Sequence, residues 1–497
     1  RDWSSDVCSS DLEISTPVND GGSYSTPVGA TGILVNGVEV FNYKSEDLVY
    51  YGPINQIDVT SSGSGYDIIN PPVLNISDST GVGATGFCAV SGSLKEIRIV
   101  DPGYDYTEIP SIKITGGNGI NAKASANMKL VTHEVTFNSE SSSFVGLTSS
   151  IIGFSTYHKF RNAEQVIYKT NSQQGIGGLT TSSTYFVSAL DNYTVKLYNN
   201  QNDAISGINT VTLSSYGKGT HSIQSYNQKS VLASVSIDND GTGYQNKNKT
   251  TTSSGISTSL DSINIVNHEF NSGEVVKYTN NGTPIGGLVS GNNYYVTKID
   301  NNNFKLSQVG TTIIDFYYTT NQYINFTSIG SGTHTFNYPD ITVEVVGNVG
   351  ISSIGTETFK AKVQPIFRGQ ITSVYLSSGG SGYGSIDTLN YNKQPLVTLD
   401  SGSGAQLTPI ISNGQIIQVI VNQSGQNYNS PPDLIINGSG YGAVLTPILS
   451  NGQIQSVNVI EGGVNYSSDS TTISVIAAGQ ASKFNAKIKT WTINLFS

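Results

Sequence analysis

The sequence predicts an all-β protein, in which tandem small β modules of the sandwich or barrel type form an elongated, multi-domain chain. Three observations carry this prediction. Charged residues make up 12% of the 497 residues, half of the ~25% usual in soluble domains, and 54 residues are glycine. Segments rich in glycine, serine, threonine and asparagine favour turns and strands. No long segment has the apolar period of a helix, whereas one short strand pattern recurs six times.

The first twelve residues are set apart from the fold. Residues 1–12 resemble one reading frame of a sequencing-library adapter, so we interpret them as an artefact and exclude them from the fold prediction. Cys88 is then the one remaining cysteine, and a single cysteine cannot form a disulfide within the chain. We therefore expect packing and strand pairing to hold the fold together.

The recurring pattern is an alternating strand, a polar turn and then Gly-x-x-Tyr. In every copy the second apolar strand residue lies seven positions before the tyrosine, as Val59 does before Tyr66. We expect the glycine to make a turn that bulkier residues cannot adopt, and the tyrosine ring to cover the next strand while its hydroxyl reaches water or a backbone group. The six pairs are Gly63 and Tyr66, Gly103 and Tyr106, Gly241 and Tyr244, Gly380 and Tyr383, Gly425 and Tyr428, and Gly463 and Tyr466. The pattern occupies residues 13–132, a linking repeat at 229–258, and residues 343–497.

A second kind of module interrupts the first and occurs twice, at residues 133–228 and 259–342. The copies share a His-x-Phe start at 158–160 and 268–270, an Ile-Gly-Gly-Leu stretch, and a Gly-Thr-His stretch near the end. Alternating apolar residues predict strands, and the Asp/Asn pairs between them predict tight turns. We expect two small antiparallel sandwiches or barrels joined by the repeat of Gly241 and Tyr244.

The residues that invite a chemical interpretation are better explained as structural. His158, His221, His268 and His334 hold equivalent places in the two modules, but a zinc site needs three or four ligands and each module offers two. We expect these histidines to cap strand ends or to pack beside Phe160 and Phe270. Residues 238–241 resemble the start of a calcium loop, yet the late glutamate is missing, so a plain turn is predicted. Cys88 lies in an apolar context, which predicts a packed thiol.

No catalytic, cofactor-binding or metal-binding residue is assigned, and the chain is predicted not to be an enzyme. The glycine-rich run at 377–382 lacks the helix and the Lys-Ser/Thr pair of a phosphate-binding loop. A carboxylate pair for sugar cleavage stays open, because such pairs form in space rather than in sequence. The net charge of −10 argues against nucleic-acid binding, and no apolar run of about 18 residues predicts a membrane span.

Three stretches carry a resemblance to a known family. Residues 32–40 (GILVNGVEV), 50–54 (YYGPI) and 63–66 (GSGY) resemble the large repetitive virion structural proteins of contractile-tailed marine bacteriophages, in particular those of cyanobacteria. The resemblance covers most of residues 13–497 and implies a particle component associated with the tail or baseplate. It implies no catalytic residue. The Ile-Gly-Gly-Leu and Gly-Thr-His stretches also resemble pieces of large bacterial surface adhesins.

The expected function is therefore architectural. The resemblance implies a scaffold of the virion, assembled in the host cytoplasm and carried on the extracellular particle, whose partners are other virion proteins. A homo-oligomer and a host-surface glycan remain as further partners. Two alternatives stay open, a fragment of a bacterial surface adhesin and a tail protein that binds a glycan or receptor.

Overall fold

The computed structural model is all-β and describes residues 30–34, 37, 39–41, 51–171, 174–309, 323–350, 359–384 and 394–488. Residues 1–12, interpreted above as an artefact, lie outside the described residues. Every strand pair in the described ranges is antiparallel, and helix is limited to α1 (Gln201–Ser206) and one 3₁₀ turn (Ser253–Gly255). The prediction of an all-β fold made of small modules is confirmed. None of the helices in these ranges has the length and apolarity that a membrane crossing requires.

The strands range in length from two residues to 20 residues. The first half contains β1 (Ala30–Ile33), β2 (Glu39–Phe41), β3 (Tyr51–Gly52), β4 (Ile54–Ser64), β5 (Tyr66–Asp67), β6 (Val73–Ser77), β7 (Val82–Asp101), β8 (Ser111–Thr115), β9 (Lys123–Val131), β10 (Glu134–Asn138), β11 (Val145–Gly146), β12 (Ile151–Gly153), β13 (Gln165–Thr170), β14 (Thr184–Ala189), β15 (Thr194–Tyr198), β16 (Thr220–Ser225), β17 (Lys229–Asn239) and β18 (Tyr244–Gln245). The second half contains β19 (Asn248–Thr252), β20 (Ile256–Ser257), β21 (Ser262–Asn264), β22 (Val275–Asn280), β23 (Asn293–Lys298), β24 (Asn303–Gln308), β25 (Thr333–Asn337), β26 (Thr342–Val346), β27 (Lys362–Ser381), β28 (Tyr383–Gly384), β29 (Leu396–Asp400), β30 (Ser403–Ser412), β31 (Gln415–Gln426), β32 (Asp433–Asn437), β33 (Tyr441–Ser450), β34 (Gln453–Val464), β35 (Thr472–Ile476) and β36 (Gln480–Ile488).

The two interrupting modules share one topology. Module A comprises β10 to β16 with α1, and module B comprises β19 to β25. Each is a seven-stranded antiparallel sheet, with the order β10-β16-β13-β14-β15-β12-β11 in module A and the corresponding order β19-β25-β22-β23-β24-β21-β20 in module B. Each sheet encloses its own apolar core, in which Tyr168 and its counterpart Tyr278 are fully buried. Each module therefore folds around a centre of its own.

Strands outside the two modules form what we call the repeat body, which is built from β4 to β9, β17, β18 and β26 to β36. Two of its units are simple hairpins, β30–β31 and β33–β34, which pack face to face. The backbone N–H of Tyr428 in one hairpin bonds to the carbonyl of Gly452 in the other, and Tyr466 bonds likewise to Gly414. Two hairpins thus hold each other by a reciprocal pair of hydrogen bonds.

Strands that are far apart in the sequence close the repeat body. β4 pairs with β36, β6 with β29, and β8 with β26. The longest pair joins β7 to β27, two strands of 20 residues that pair from Val82 opposite Ser381 to Asp101 opposite Lys362, with four register shifts along the ladder. The repeat regions predicted at 13–132, 229–258 and 343–497 are consequently paired with each other, within the described residues, and do not follow one another as separate bodies.

The modules are insertions into this body. β9 and β17 pair from Val131 opposite Lys229, so module A stands where that hairpin would have its turn. Module B lies between β18 and β26. Module B begins at β19, because β19 pairs with β25, whereas the sequence predicts that the module begins at residue 259. The reason is that Asn248–Thr252 is polar throughout and lacks the apolar alternation by which a half-buried strand is recognised.

Candidate functional site

The six Gly-x-x-Tyr copies adopt one geometry. All six glycines have a left-handed backbone with φ between +60° and +67°, which is strained for any residue with a Cβ. All six tyrosines are buried, none more than 7% exposed. The predicted turn at the glycine and the predicted packing of the tyrosine are therefore both present. We treat these six places, called Gly-x-x-Tyr sites below, as the candidate functional site.

The glycine of each site packs closely against the backbone of a partner strand. A Cβ placed on Gly241 would lie 2.6 Å from the backbone nitrogen of Ala122 and 2.6 Å from the carbonyl oxygen of Ile120. The other five glycines meet an equivalent N–H and carbonyl of their own partners at similarly short distances. Glycine is required here twice, by its φ and by this close approach.

The tyrosine hydroxyl accepts a hydrogen bond from the same partner strand. The Ala84 N–H donates to the Tyr383 hydroxyl at 3.0 Å, and the Ala361 N–H donates to that of Tyr106 at 2.6 Å. The full set pairs Tyr66 with Ser482, Tyr106 with Ala361, Tyr244 with Ala122, Tyr383 with Ala84, Tyr428 with Ala405, and Tyr466 with Ala443. The hydroxyl thus reaches a backbone group, one of the two outcomes predicted from the sequence.

The second half of the site was missed in the sequence. Three residues before the donor stands a glycine on which the tyrosine ring lies, so that a Cβ there would collide with the ring. This holds at five of the six sites, with Gly479 under Tyr66, Gly119 under Tyr244, Gly81 under Tyr383, Gly402 under Tyr428, and Gly440 under Tyr466. At the sixth site the sequence has a threonine at the equivalent position, 358. The signal was a recurring Gly-x-x-Ala or Gly-x-x-Ser, which was interpreted only as a glycine-rich turn.

The hydroxyl bond has a measurable contribution. We expect Tyr383→Phe to lower the free energy of unfolding by about 1–2 kcal/mol, because the buried Ala84 N–H loses its acceptor while the ring stays in place. Tyr441→Phe is the matched control, since that side chain is 65% exposed, and a change below about 0.5 kcal/mol is expected. Urea unfolding followed by fluorescence measures both. Equal effects of the two substitutions would contradict this role of the hydroxyl.

His158 and His268 pack beside Phe160 and Phe270, as predicted, and their rings are stacked. His158 accepts the Phe160 N–H on Nδ1 at 2.9 Å, while its Nε2 lies 2.8 Å from the Asp191 carbonyl oxygen. His268 repeats both bonds with Phe270 and Asp300. Burial lowers the pKa of both imidazoles, and the bond to Nδ1 requires a neutral ring. Each of these histidines therefore joins two inter-strand loops as a neutral donor and acceptor.

The second histidine of each module completes a buried chain of hydrogen bonds. In module A the Ile176 N–H donates to the Tyr168 hydroxyl, which lies 2.6 Å from His221 Nδ1. In module B, Ile285, Tyr278 and His334 repeat the chain. Burial lowers the pKa of His221 and His334 as well. Among the described residues, no three His, Cys, Asp or Glu side chains come together to hold a metal ion.

The remaining sequence candidates take structural places. Cys88 is fully buried, and burial raises the pKa of its thiol to about 12, which matches the predicted packed thiol. The turn at residues 238–241 is held by Asn239, whose side chain accepts the Gly241 N–H at 2.9 Å. Asp105 belongs to an ionic cluster.

That cluster joins module A to the repeat body. The Lys229 ammonium lies 2.9 Å from Glu164 and 3.6 Å from Asp105, and Arg161 forms a second ion pair with Asp105. Glu164 also accepts a hydrogen bond from Ser225 at 2.6 Å. The Lys229 side chain is only 8% exposed, so the two carboxylates are bridged by a cation in a region that excludes water. This acidic pair is neutralised at a junction and does not line a groove.

Module B is joined by a lysine pair and two tyrosines. The Lys249 ammonium stands 3.7 Å from the centre of the Tyr375 ring, which belongs to β27, and donates to the Asn267 carbonyl at 2.8 Å. Burial lowers the pKa of Lys249 to about 8. The Tyr375 hydroxyl donates a hydrogen bond to Glu269, and burial raises the pKa of Tyr375. Lys247 lies over the Tyr338 ring in the same junction.

The junction of module A depends on Lys229. We expect Lys229→Met to lower the free energy of unfolding by about 2–3 kcal/mol, because Glu164 is left buried without its cation while Asp105 keeps Arg161. Lys277→Met removes an exposed ion pair with Asp340 and should cost less than about 1 kcal/mol. Thermal unfolding of both variants gives the comparison. If Lys229→Met were no more harmful than the control, the cluster would contribute nothing to docking.

The comparison of this chain with protein-family models, with curated proteins and with solved structures yields no match.

Proposed function

We propose that this protein is an architectural component of a bacteriophage particle, associated with the tail or the baseplate. The observation that supports the proposal most is the sixfold use of one backbone-gripping site, in which each Gly-x-x-Tyr turn clamps a partner strand. A protein whose repeated local geometry serves strand pairing is suited to act as a rigid spacer. The resemblance of residues 32–40, 50–54 and 63–66 to tail-associated virion proteins supports the same assignment.

Two buried arginines add to the case for rigidity. Arg368 of β27 reaches the Asp67 carboxylate at 2.5 Å and also the Ser430 hydroxyl at 3.1 Å. Arg98 of β7 donates to the Pro432 carbonyl at 3.0 Å and pairs with Asp433. Charge-assisted bonds of this kind hold the segment after Tyr428 against the central strands. A spacer that resists bending needs such ties between its units.

The insertion of modules A and B favours a scaffold that presents side domains to neighbours. Each module has its own core, so its outer strands can vary without disturbing the repeat body. Other virion proteins are the proposed partners, and a second copy of the chain is a further one. A bacterial surface adhesin and a tail protein that binds a glycan or receptor are the alternatives.

Fractionation of the sample from which the sequence derives tests the proposal. Intact tailed particles are separated from cell envelopes on a density gradient. Tryptic peptides such as those of residues 114–123 and 369–393 are then sought by mass spectrometry. Peptides that follow the particles together with those of tail proteins support a virion component. Peptides that follow the envelopes and are missing from particles contradict it and favour the adhesin. Tight binding of the full chain to one sugar on a glycan array would favour the receptor-binding alternative.

A further inference from the structure

Four repeat units have their donor alanine shortly before their tyrosine in the sequence, and two of these four lack one residue. In the units that close as β30–β31 and β33–β34, 23 positions separate the donor alanine from the tyrosine (405 to 428 and 443 to 466). In the units that contain β7 and β27, only 22 positions separate them (84 to 106 and 361 to 383). The units are otherwise equivalent, because all four carry the same Gly-x-x-Tyr site.

The missing residue belongs to the hairpin turn. The closed hairpins turn at Asn413-Gly414 and Asn451-Gly452, where both residues have positive φ, between +50° and +76°. That is the two-residue turn whose twist matches a β-hairpin. The shorter units have a single glycine at this place, Gly92 or Gly369. Both glycines are described, and both lie within a continuous strand, outside the left-handed region.

The strand register shows what the shorter units do instead. In a closed hairpin, Pro409 pairs with Val419 of the same unit. The equivalent positions are Cys88 and Ile97 in one short unit, and Pro365 and Val374 in the other. The structure pairs Cys88 with Val374, and Pro365 with Ile97. The two short units have therefore exchanged their second strands.

We propose that the loss of one turn residue at Gly92 and at Gly369 is the cause of this exchange. One residue cannot reverse an antiparallel pair, so each strand runs straight on and finds its complement in the sister unit. This is domain swapping within one chain, a known outcome of shortened hinge loops. Gly92 and Gly369 face each other at the crossing, where a Cβ on either would collide with the backbone of the other strand.

The exchange has a consequence for the whole molecule. The segment between β7 and β27 contains module A, module B and the hairpin of β9 and β17. Both ends of this segment are held by one ladder of 20-residue strands. The turn deletions thus convert two independent hairpins into a continuous ribbon that anchors both modules to the rest of the repeat body.

A competition between disulfides tests the inference. The full-length chain carries Cys8→Ser, Ile97→Cys and Val374→Cys, so that Cys88 can join either new cysteine. With natural turns, Cys88 stands opposite position 374, whereas position 97 lies roughly 30 Å along the same strand at ~3.3 Å per residue. The second chain adds one asparagine before Gly92 and one before Gly369, which restores both Asn-Gly turns. Both chains are unfolded in denaturant, refolded under air oxidation, and digested for mass spectrometry.

The expected result is a switch of partner. The chain with natural turns should give the 88–374 disulfide in at least tenfold excess, and the chain with restored turns should give 88–97 in excess. Persistence of 88–374 with restored turns would show that turn length does not choose the partner, and a mixture of both products in equal amounts would show the same. Formation of 88–97 with natural turns would refute the exchange itself. Because each hairpin closes locally, the assay reports on partner choice even if the insertions weaken the rest of the fold.

Discussion

Gly241→Ala is expected to lower the free energy of unfolding by about 3–4 kcal/mol. Two costs combine. The φ of +66° is strained for alanine, and the new Cβ would lie 2.6 Å from the backbone of the partner strand. Neither cost can be relieved by a side-chain rotation, because the groups in contact are an N–H and a carbonyl of the main chain. The strands must move apart, and the bond to Tyr244 weakens with them.

A second glycine in the same turn separates the two costs. Gly243 also has a positive φ, +76°, but a Cβ there meets nothing within 4 Å. Gly243→Ala should therefore cost only the backbone strain, about 1–2 kcal/mol. Urea unfolding of the two variants beside the parent chain gives both numbers. If Gly243→Ala proved as harmful as Gly241→Ala, the grip on the partner strand would be irrelevant and the site would be a turn only.

Much of the site was visible in the sequence because its parts are local. The glycine and the tyrosine lie three residues apart, and the spacing of seven to Val59 and its equivalents repeats in every copy. The conformation of Gly425 and the burial of Tyr428 follow from that pattern alone. The packing of His158 beside Phe160 could be predicted similarly, because the two residues are two positions apart and two copies can be compared.

The pairing of the units could not be predicted from the sequence. Tyr66 bonds to Ser482, which lies 416 residues further along, and no local feature of either residue indicates so distant a partner. Units with nearly identical strands compete for the same partners, so the choice depends on small differences. The absent asparagine before Gly92 is one such difference, and its meaning emerges only when the register of β7 with β27 is known.

The stability of modules A and B is expected to fall steeply as the pH drops below 6.5. His158, His221, His268 and His334 are all buried, and burial lowers the pKa of each. A lowered pKa means that the unfolded chain binds more protons than the folded chain between the two pKa values, so the free energy of unfolding rises with pH in that window. The stabilisation is complete above the unfolded value of about 6.5 and is lost towards the lower folded values.

The size of this effect follows from the number of groups. The contributions of the four histidines add if these groups unfold together, so the slope of the unfolding free energy against pH corresponds to at most four protons in this window. The lowered pKa values of Asp191 and Asp300 act only below about pH 4, because an unfolded aspartate titrates there. Histidines therefore dominate the window that a neutral-to-mildly-acidic titration covers.

A double variant isolates the contribution of His158 and His268. An asparagine side chain can accept the N–H two residues further on, so His158→Asn with His268→Asn keeps the acceptor for Phe160 and Phe270 while removing two titrating rings. The variant should be less stable at pH 8, because the bonds to the Asp191 and Asp300 carbonyls are lost. Its unfolding free energy should nevertheless change with pH with a slope smaller by up to two protons. Urea titrations at half-unit steps from pH 8 to pH 5 measure the slope, and an unchanged slope would mean that these rings are not held neutral by the fold.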